Sequence, residues 1–546
     1  MTDVDADSAT FESRAALARR RRLRLAVLPA AIATGFAGLV ALLYGISVHT
    51  AAADSDKATT MLVGQAMSNG HLLLHGWILA PGSYWTSDAL FYALAVRFAG
   101  GLRPGILYAE PAVVAAAAIS AGVLLAVEGR RAAAGLAGAV AVVALLGFAT
   151  PVMDYWFVGK GFHVATSLYA LVAFAALRRG RFGWGWVAAV ALLAFGMLGD
   201  LMIVAFAAVP LFVAGLVAML RERRWQSGIA QVTAGVASGG IGEIALRLAD
   251  ALGKFEPGKN LRIAASGQML TNVGHLFTYG ARLVGWTNAP PMTGGIPLGL
   301  LEVHAVGALC TLTCLSAALV SLVAGVIRGR STDAPPASGT EPWRLDDMLV
   351  FATLGSSAIF VILAGANGVG IHFLVAPIVF ASVLTGRLVA RAWPKVPVGW
   401  TARALASTGL AISLSFGAGL GYALSRPEPK QPASSLATWL GAHGLTNGIG
   451  GYWSAAITTV ESGGAVTVRP VSIGPRGVQR IMSQSSGSWY AGQRFQFLVY
   501  GTSRHAKRYM IAADRTWGPP AHSYEVGRYH VLVWDHTLRI APFPHA

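Results

Sequence analysis

The chain has 546 residues, of which 54% are hydrophobic and 12% charged, about half the charged share of a soluble globular domain. This balance excludes an ordinary soluble enzyme and leaves most of the chain to face lipid or other helices. The net charge of +17 sits in short clusters between apolar runs, the pattern of membrane-anchoring loops, so no nucleic acid is expected as a partner.

Residues 1–24 form a basic tail ending in Arg19–Arg22 and Arg24, and an apolar run over 25–47 follows. That run is long enough to cross a hydrocarbon core of about 30 Å. Ala51-Ala52-Ala53 raises the alternative of a cleaved signal peptide, but the long apolar core and acidic leader favour an uncleaved anchor. Further runs lie at 105–127, 132–150, 162–177, 184–198, 201–220, 229–248, 296–327, 348–364, 373–388 and 402–424. Within 296–327, Cys310 and Cys314 share a helix face without metal-ligating partners and are read as packing residues.

Arg130/Arg131, Arg178/Arg179/Arg181, Arg221/Arg223/Arg224, Arg328/Arg330/Arg344 and Arg387/Arg391/Lys395 fall on alternate loops. The bias of basic residues toward the cytoplasm then places the N-terminus inside and, after about eleven crossings, the C-terminal region outside. The expected fold is an all-α polytopic membrane protein of the plasma (inner) membrane. A transmembrane domain over 25–424 carries long outward loops at 48–104 and 249–297, and an extracytoplasmic α+β domain occupies 425–546.

In the first outward loop, residues 58–74 carry apolar side chains at helical spacing, which fits a helix lying in the membrane interface or an ordinary surface helix. Beyond 425 the composition becomes that of a small soluble domain, with strands predicted at 465–471, 494–500 and 529–535. Trp453, Trp489, Tyr490, Trp517 and Trp534 are either sugar-stacking faces or core aromatics, the core being the commoner place for them.

Ionisable residues at the outward membrane level are few, and each needs a reason to be there. They are Asp54, Asp56, Asp88, Asp154, Lys160, Asp200, Arg262 with Lys254 and Lys259, Arg282, His163 and His372. Asp154 is expected to be a solvated loop residue, and Asp200 the turn of a helical hairpin.

One stretch has more structure. Asp54-Ser55-Asp56-Lys57 is followed by the amphipathic segment and then by Asn69-Gly70-His71-Leu72-Leu73-Leu74-His75-Gly76-Trp77. An acidic residue just past the first span, an interfacial helix and a Gly-His-Leu element resemble the first external loop of the GT-C glycosyltransferases. The resemblance in motif covers about residues 50–90.

It implies a polyprenyl-phosphate-linked sugar as donor and an envelope glycan, lipid or protein as acceptor, with membrane lipids around the site. Asp56 takes the place of the catalytic carboxylate. Asp54 is its DxD-like neighbour, supporting it or binding a divalent cation such as Mg or Mn. Such a reaction needs a base for the acceptor hydroxyl and positive charge for the departing lipid phosphate. Arg262 is the first candidate for the phosphate, followed by Lys160, His163 and Arg282; Asp88, Asp200 and His372 are candidates for binding substrate.

The competing reading is a multi-pass transporter or lipid flippase. Against it, no internal repeat is visible, and Glu243 with Arg247 is the one candidate for a buried charged pair. No P-loop occurs, so the energy for chemistry arrives with an activated donor or an ion gradient.

Overall fold

The structure, a computed structural model, describes residues 29–50, 52–178, 180–222, 225–257, 263–285, 298–327, 343–363, 369–393, 399–481, 483–502 and 506–540. The N-terminal tail and Arg262 lie outside them.

Each apolar run forms a helix, as it must where lipid offers the backbone no partner. In chain order the membrane part comprises α1 (Pro29–Thr50), α2 (Ser55–Ser68), α3 (Asp88–Ala99), α4 (Ile106–Val127), α5 (Ala132–Leu146) and α6 (Pro151–Asp154). It continues with α7 (Val164–Leu177), α8 (Trp184–Gly199), α9 (Val209–Glu222), α10 (Trp225–Ala251) and α11 (Ser266–Leu283). Last come α12 (Leu298–Ile327), α13 (Trp343–Ile362), α14 (Val375–Ala392) and α15 (Trp400–Ser425).

Among the described residues, seven helices are long and apolar enough to cross a membrane, and a bent pair makes eight. Three shorter apolar helices accompany them. The protein is a multi-pass membrane protein. In the bent pair, α5 and the segment Pro151–Lys160 meet at 79°. Thr150 caps the new turn by accepting from the Met153 amide at 3.1 Å, and Pro151 opens it. The turn then widens into a π-helix over Tyr155–Lys160. The bundle centre is filled by Phe157, Phe174, Phe206, Phe360 and Phe380, all fully buried. Backbones approach closely where α5 crosses α14: a Cβ on Gly138 would stand 2.8 Å from the Gly386 carbonyl.

Among the described residues, Arg130, Arg387 and Arg391 of two predicted basic loops gather around Asp346 at one end of the bundle. Arg178 pairs with Glu128 at 2.5 Å, and Asp346 takes Arg387 at 2.6 Å together with Arg391. Glu243 and Arg247, expected as a buried pair, instead form an exposed i,i+4 bridge at 2.8 Å, with side chains 50% and 78% accessible. Four residues apart on α10, they sit one turn above each other on its outer face.

At the opposite end, most of α2 is buried against other helices. A Cβ at Gly64 would meet Tyr92 Cβ at 2.7 Å and the Ala89 carbonyl at 2.9 Å, so only glycine lets α2 and α3 cross this tightly. From above, α2 is covered by α17 (Tyr452–Glu461) of the C-terminal domain.

That domain is built on a six-stranded mixed sheet of order β5-β4-β3-β7-β9-β8. Its strands are β3 (Asn447–Gly451), β4 (Thr467–Gly474), β5 (Gly477–Arg480), β7 (Phe495–Gly501), β8 (His522–Val526) and β9 (Tyr529–Leu538). Strand β3 runs parallel to both β4 and β7. The predicted strands at 465–471, 494–500 and 529–535 are β4, β7 and β9. Trp489, Tyr490 and Trp534 are core residues, whereas Trp453 is 63% exposed.

A second, three-stranded sheet ties the long segments together. Strand β1 (Trp77–Leu79) of the first loop pairs with β2 (Glu256–Pro257) of the second and with β6 (Ser485–Ser486) of the C-terminal domain. Trp77 packs edge-on against Trp489 at 4.8 Å, so loop and domain share one core.

Candidate active site

Asp54 is the N-cap of α2, accepting from the Lys57 amide at 3.3 Å. This fixes Asp56 in the first helical turn, where the helix dipole favours an anion. The Asp56 carboxylate accepts from the Tyr452 hydroxyl at 2.5 Å and from the Gln484 side chain, both from the C-terminal domain. Burial pushes its pKa above the ordinary carboxylate value, and those two hydrogen bonds pull back only in part. Both donors are neutral.

Across from Asp56, Asp54 pairs with Lys160 at the end of the π-helix. Lys57, one residue on, points the other way: its ammonium donates to the Gly159 carbonyl and stands 5.4 Å from the Tyr108 ring centre. Burial pushes the Lys57 ammonium down to about 7, against the pull of the Glu110 carboxylate. Lys57 therefore stitches α2 to the broken helix.

A second group lies one layer away. His163 Nδ1 meets Asp200 Oδ2 at 2.6 Å, and the Thr166 hydroxyl donates to the same oxygen at 2.5 Å. Burial works against the Asp200 anion, but the His163 charge and the hydrogen bonds from His163, Thr166 and the Met202 amide outweigh it. Asp200 is thus held below the usual carboxylate range. The His163 ring stacks on His372 at 5.5 Å. Asp88, in the first turn of α3, accepts from the Ser87 hydroxyl at 2.9 Å, and burial pushes it up to about 6. Tyr84 joins the two groups, its phenol under the fields of Asp200, Asp88 and Asp56.

Backbone strain gathers here as well. Of the four non-glycine residues described with φ in the left-handed region, three touch these groups: Tyr84 (54°), His163 (61°) and Gln484 (51°). Such conformations persist only where surrounding contacts hold them. Tyr84 is pinned by its amide, which donates to the Gly199 carbonyl at 2.7 Å.

The structure therefore brings Asp54, Asp56 and Lys160 together and sets Asp88, His163, Asp200 and His372 behind them. Arg282 does not join. It lies on α11 with its guanidinium 5.4 Å from the Tyr279 ring centre. Asp154, expected in solvent, is fully buried in the turn that breaks the α5–α6 pair, and neither carboxylate oxygen has a partner among the described residues. Asp200 is likewise a buried, ion-paired group and not merely a turn residue.

A divalent cation does not fit Asp54 as it stands. Lys160 and the Lys57 amide occupy its carboxylate, and no three His, Cys, Asp or Glu side chains gather as a ligand set among the described residues.

At the level of the fold, the chain matches a protein of known structure. Among solved structures, the chain is similar to apo ArnT from Cupriavidus metallidurans at 13% identity and a TM-score of 0.50, covering 92% of this chain and 98% of that one. The same protein bound to undecaprenyl phosphate gives 12% identity and a TM-score of 0.48, over 92% and 98%. The Archaeoglobus fulgidus oligosaccharyltransferase in complex with zinc and sulfate gives 10% identity and 0.44, over 88% and 70%. No protein-family model and no curated protein sequence matches the chain.

Proposed function

We propose that this chain is a glycosyltransferase that moves a sugar from a polyprenyl-phosphate donor to an envelope acceptor on the outer face of the plasma membrane. The observation that carries the reading is Asp56: a half-buried carboxylate at the end of the first span, raised toward basicity by burial and held by two neutral donors. A base must be free to take a proton, and a carboxylate without a cation of its own meets that requirement.

In this reading Asp56 removes the proton from an acceptor hydroxyl. The freed oxygen attacks the anomeric carbon, the bond from that carbon to the phosphate oxygen breaks, and polyprenyl phosphate leaves with the electron pair. Lys160 is the cation placed to meet the departing phosphate, exchanging part of its pairing with Asp54 for the new anion. His163, locked to Asp200 and stacked on His372, positions the wall behind the carboxylates. No step is routed through a metal.

The donor's apolar tail finds support in a cavity of about 210 Å³ walled by Leu276, Gly280, Leu312, Leu319, Pro377 and Ile378 of α11, α12 and α14. Leu374, two residues past His372, lines the same cavity.

The test uses the purified chain in detergent with a radiolabelled polyprenyl-phosphate sugar, and envelope glycans from cells carrying wild type or Asp56→Asn. Release of polyprenyl phosphate by wild type and its loss in the variant, with matching glycan changes, is expected. Unchanged glycans and unchanged release in Asp56→Asn would overturn the reading.

A further inference from the structure

The C-terminal sheet, whose domain supplies both donors to Asp56, presents a cation without an anion. Arg469 lies on β4, its guanidinium 4.6 Å from the Trp489 ring centre. It is largely buried, and burial works against its charge, pushing it down to about 10; the one opposing influence is Tyr490. No carboxylate pairs with Arg469 among the described residues. Tyr490 cannot serve as the missing anion, because its hydroxyl is engaged as a donor to the Pro470 carbonyl. Arg480 reaches the same place, its guanidinium 5.9 Å from the Tyr490 ring centre. A guanidinium stays charged at neutral pH, so a buried one without a counter-ion carries a desolvation cost that an incoming anion relieves.

The register fixes where this charge stands. Arg469 pairs with Ile449 and Val471 with Gly451, the residue before Tyr452. One strand spacing across and two residues along place the Arg469 and Gly451 backbones roughly 8 Å apart. Arg469 thus stands about one sugar unit from the backbone where α17, which carries the tyrosine that holds Asp56, begins. Gln484, the other donor to Asp56, immediately precedes β6, and the Ser485 side chain bonds to Tyr490.

We infer that Arg469, stacked on Trp489 and flanked by Arg480, is a subsite for an anionic group, a carboxylate or phosphate, on the acceptor glycan next to the hydroxyl that reacts. The inference rests on the transferase reading and deepens it. The lipid phosphate of the donor carries the same chemistry, but it stays at membrane level. There Lys160 ends the broken helix and pairs with Asp54. The acceptor arrives from the side of the soluble domain.

The experiment titrates the purified full chain in detergent with glucuronate, glucose and farnesyl phosphate, by calorimetry and thermal shift, for wild type, Arg469→Gln, Arg469→Lys and Asp56→Asn. Wild type is expected to bind glucuronate in preference to glucose. Arg469→Gln should weaken glucuronate about tenfold or more, the size of one charge-assisted hydrogen bond. Arg469→Lys should restore part of it, and farnesyl phosphate should bind all four proteins alike. Asp56→Asn should keep glucuronate binding while losing transfer, so a failed base assignment and a failed subsite give different results. Equal glucuronate affinity in wild type and Arg469→Gln, or none in wild type, overturns the inference. Loss of farnesyl phosphate binding in Arg469→Gln also overturns it, by assigning the arginine to the donor.

Discussion

The two ends of the helix bundle use buried carboxylates in opposite ways. At one end Asp346 is buried between Arg387 and Arg391, and Arg387 also donates to the Leu125 carbonyl. Both oxygens of Asp346 face cations, and the group ties α13 to α14 and α4. At the other end Asp56 is half-buried and has only a phenol and an amide as partners. Cations are close by, yet Lys160 is given to Asp54 and Lys57 to the Gly159 carbonyl. Full ionic pairing makes a carboxylate a structural tie, whereas neutral hydrogen bonds hold it in place and leave it able to accept a proton.

Substitution should separate the two roles. Asp56→Asn removes the base and keeps the hydrogen-bonding shape, so transfer should fall by about 10²–10⁴ in kcat while thermal stability stays near wild type. Asp346→Asn should do the reverse. It leaves Arg387 buried without its anion, which costs about 3–5 kcal/mol of stability, with transfer per folded molecule preserved. Denaturation in detergent alongside activity normalised to folded protein checks both. If Asp346→Asn lost activity without losing stability, the contrast between the ends would break.

Smaller effects sharpen the same contrast. Tyr452→Phe removes a donor that favours the Asp56 anion, so the pKa of Asp56 should rise further. The acidic limb of kcat/KM should then move to higher pH, with a loss of about tenfold in rate on that limb. A third effect, on stability rather than rate, is expected at Asp88. Burial raises its folded value to about 6, above the unfolded one, so the native state binds more protons between those values. Stability should therefore fall as pH climbs from about 4 to 6, by on the order of 2–3 kcal/mol. Asp88→Asn should flatten that slope in a pH series of unfolding curves.

How much of this was legible beforehand depended on the range of the interaction. The apolar runs gave α1, α4 and α12–α15 nearly to their ends, since a lipid-crossing helix is dictated by local composition alone. Strands β4, β7 and β9 showed their β-branched and aromatic residues. The central strand β3 did not, because Asn447-Gly448-Ile449-Gly450-Gly451 reads as a turn. Those glycines are required where Phe497 and Val499 of β7 press against Gly448 and Gly450.

Within the site, Asp54, Asp56 and Lys160 were readable as outward charges near the membrane. Tyr452 was not, being 396 residues from the carboxylate it holds. Only the folding of the C-terminal domain onto α2 brings it there. The burial of Asp154 and Asp200 was not legible for a related reason: a turn residue in sequence is exposed only if nothing packs over the turn. Here the first loop does so at Asp200, where Gly82 and Tyr84 close over the carboxylate.

The pH dependence of kcat/KM for transfer from a polyprenyl-phosphate sugar, compared between wild type and Tyr452→Phe, tests the role of Asp56 most directly. A single acidic limb above the ordinary carboxylate range in wild type, displaced upward in the variant, is the predicted result. A limb at the ordinary value, or one that Tyr452→Phe leaves in place, would show that the proton goes elsewhere.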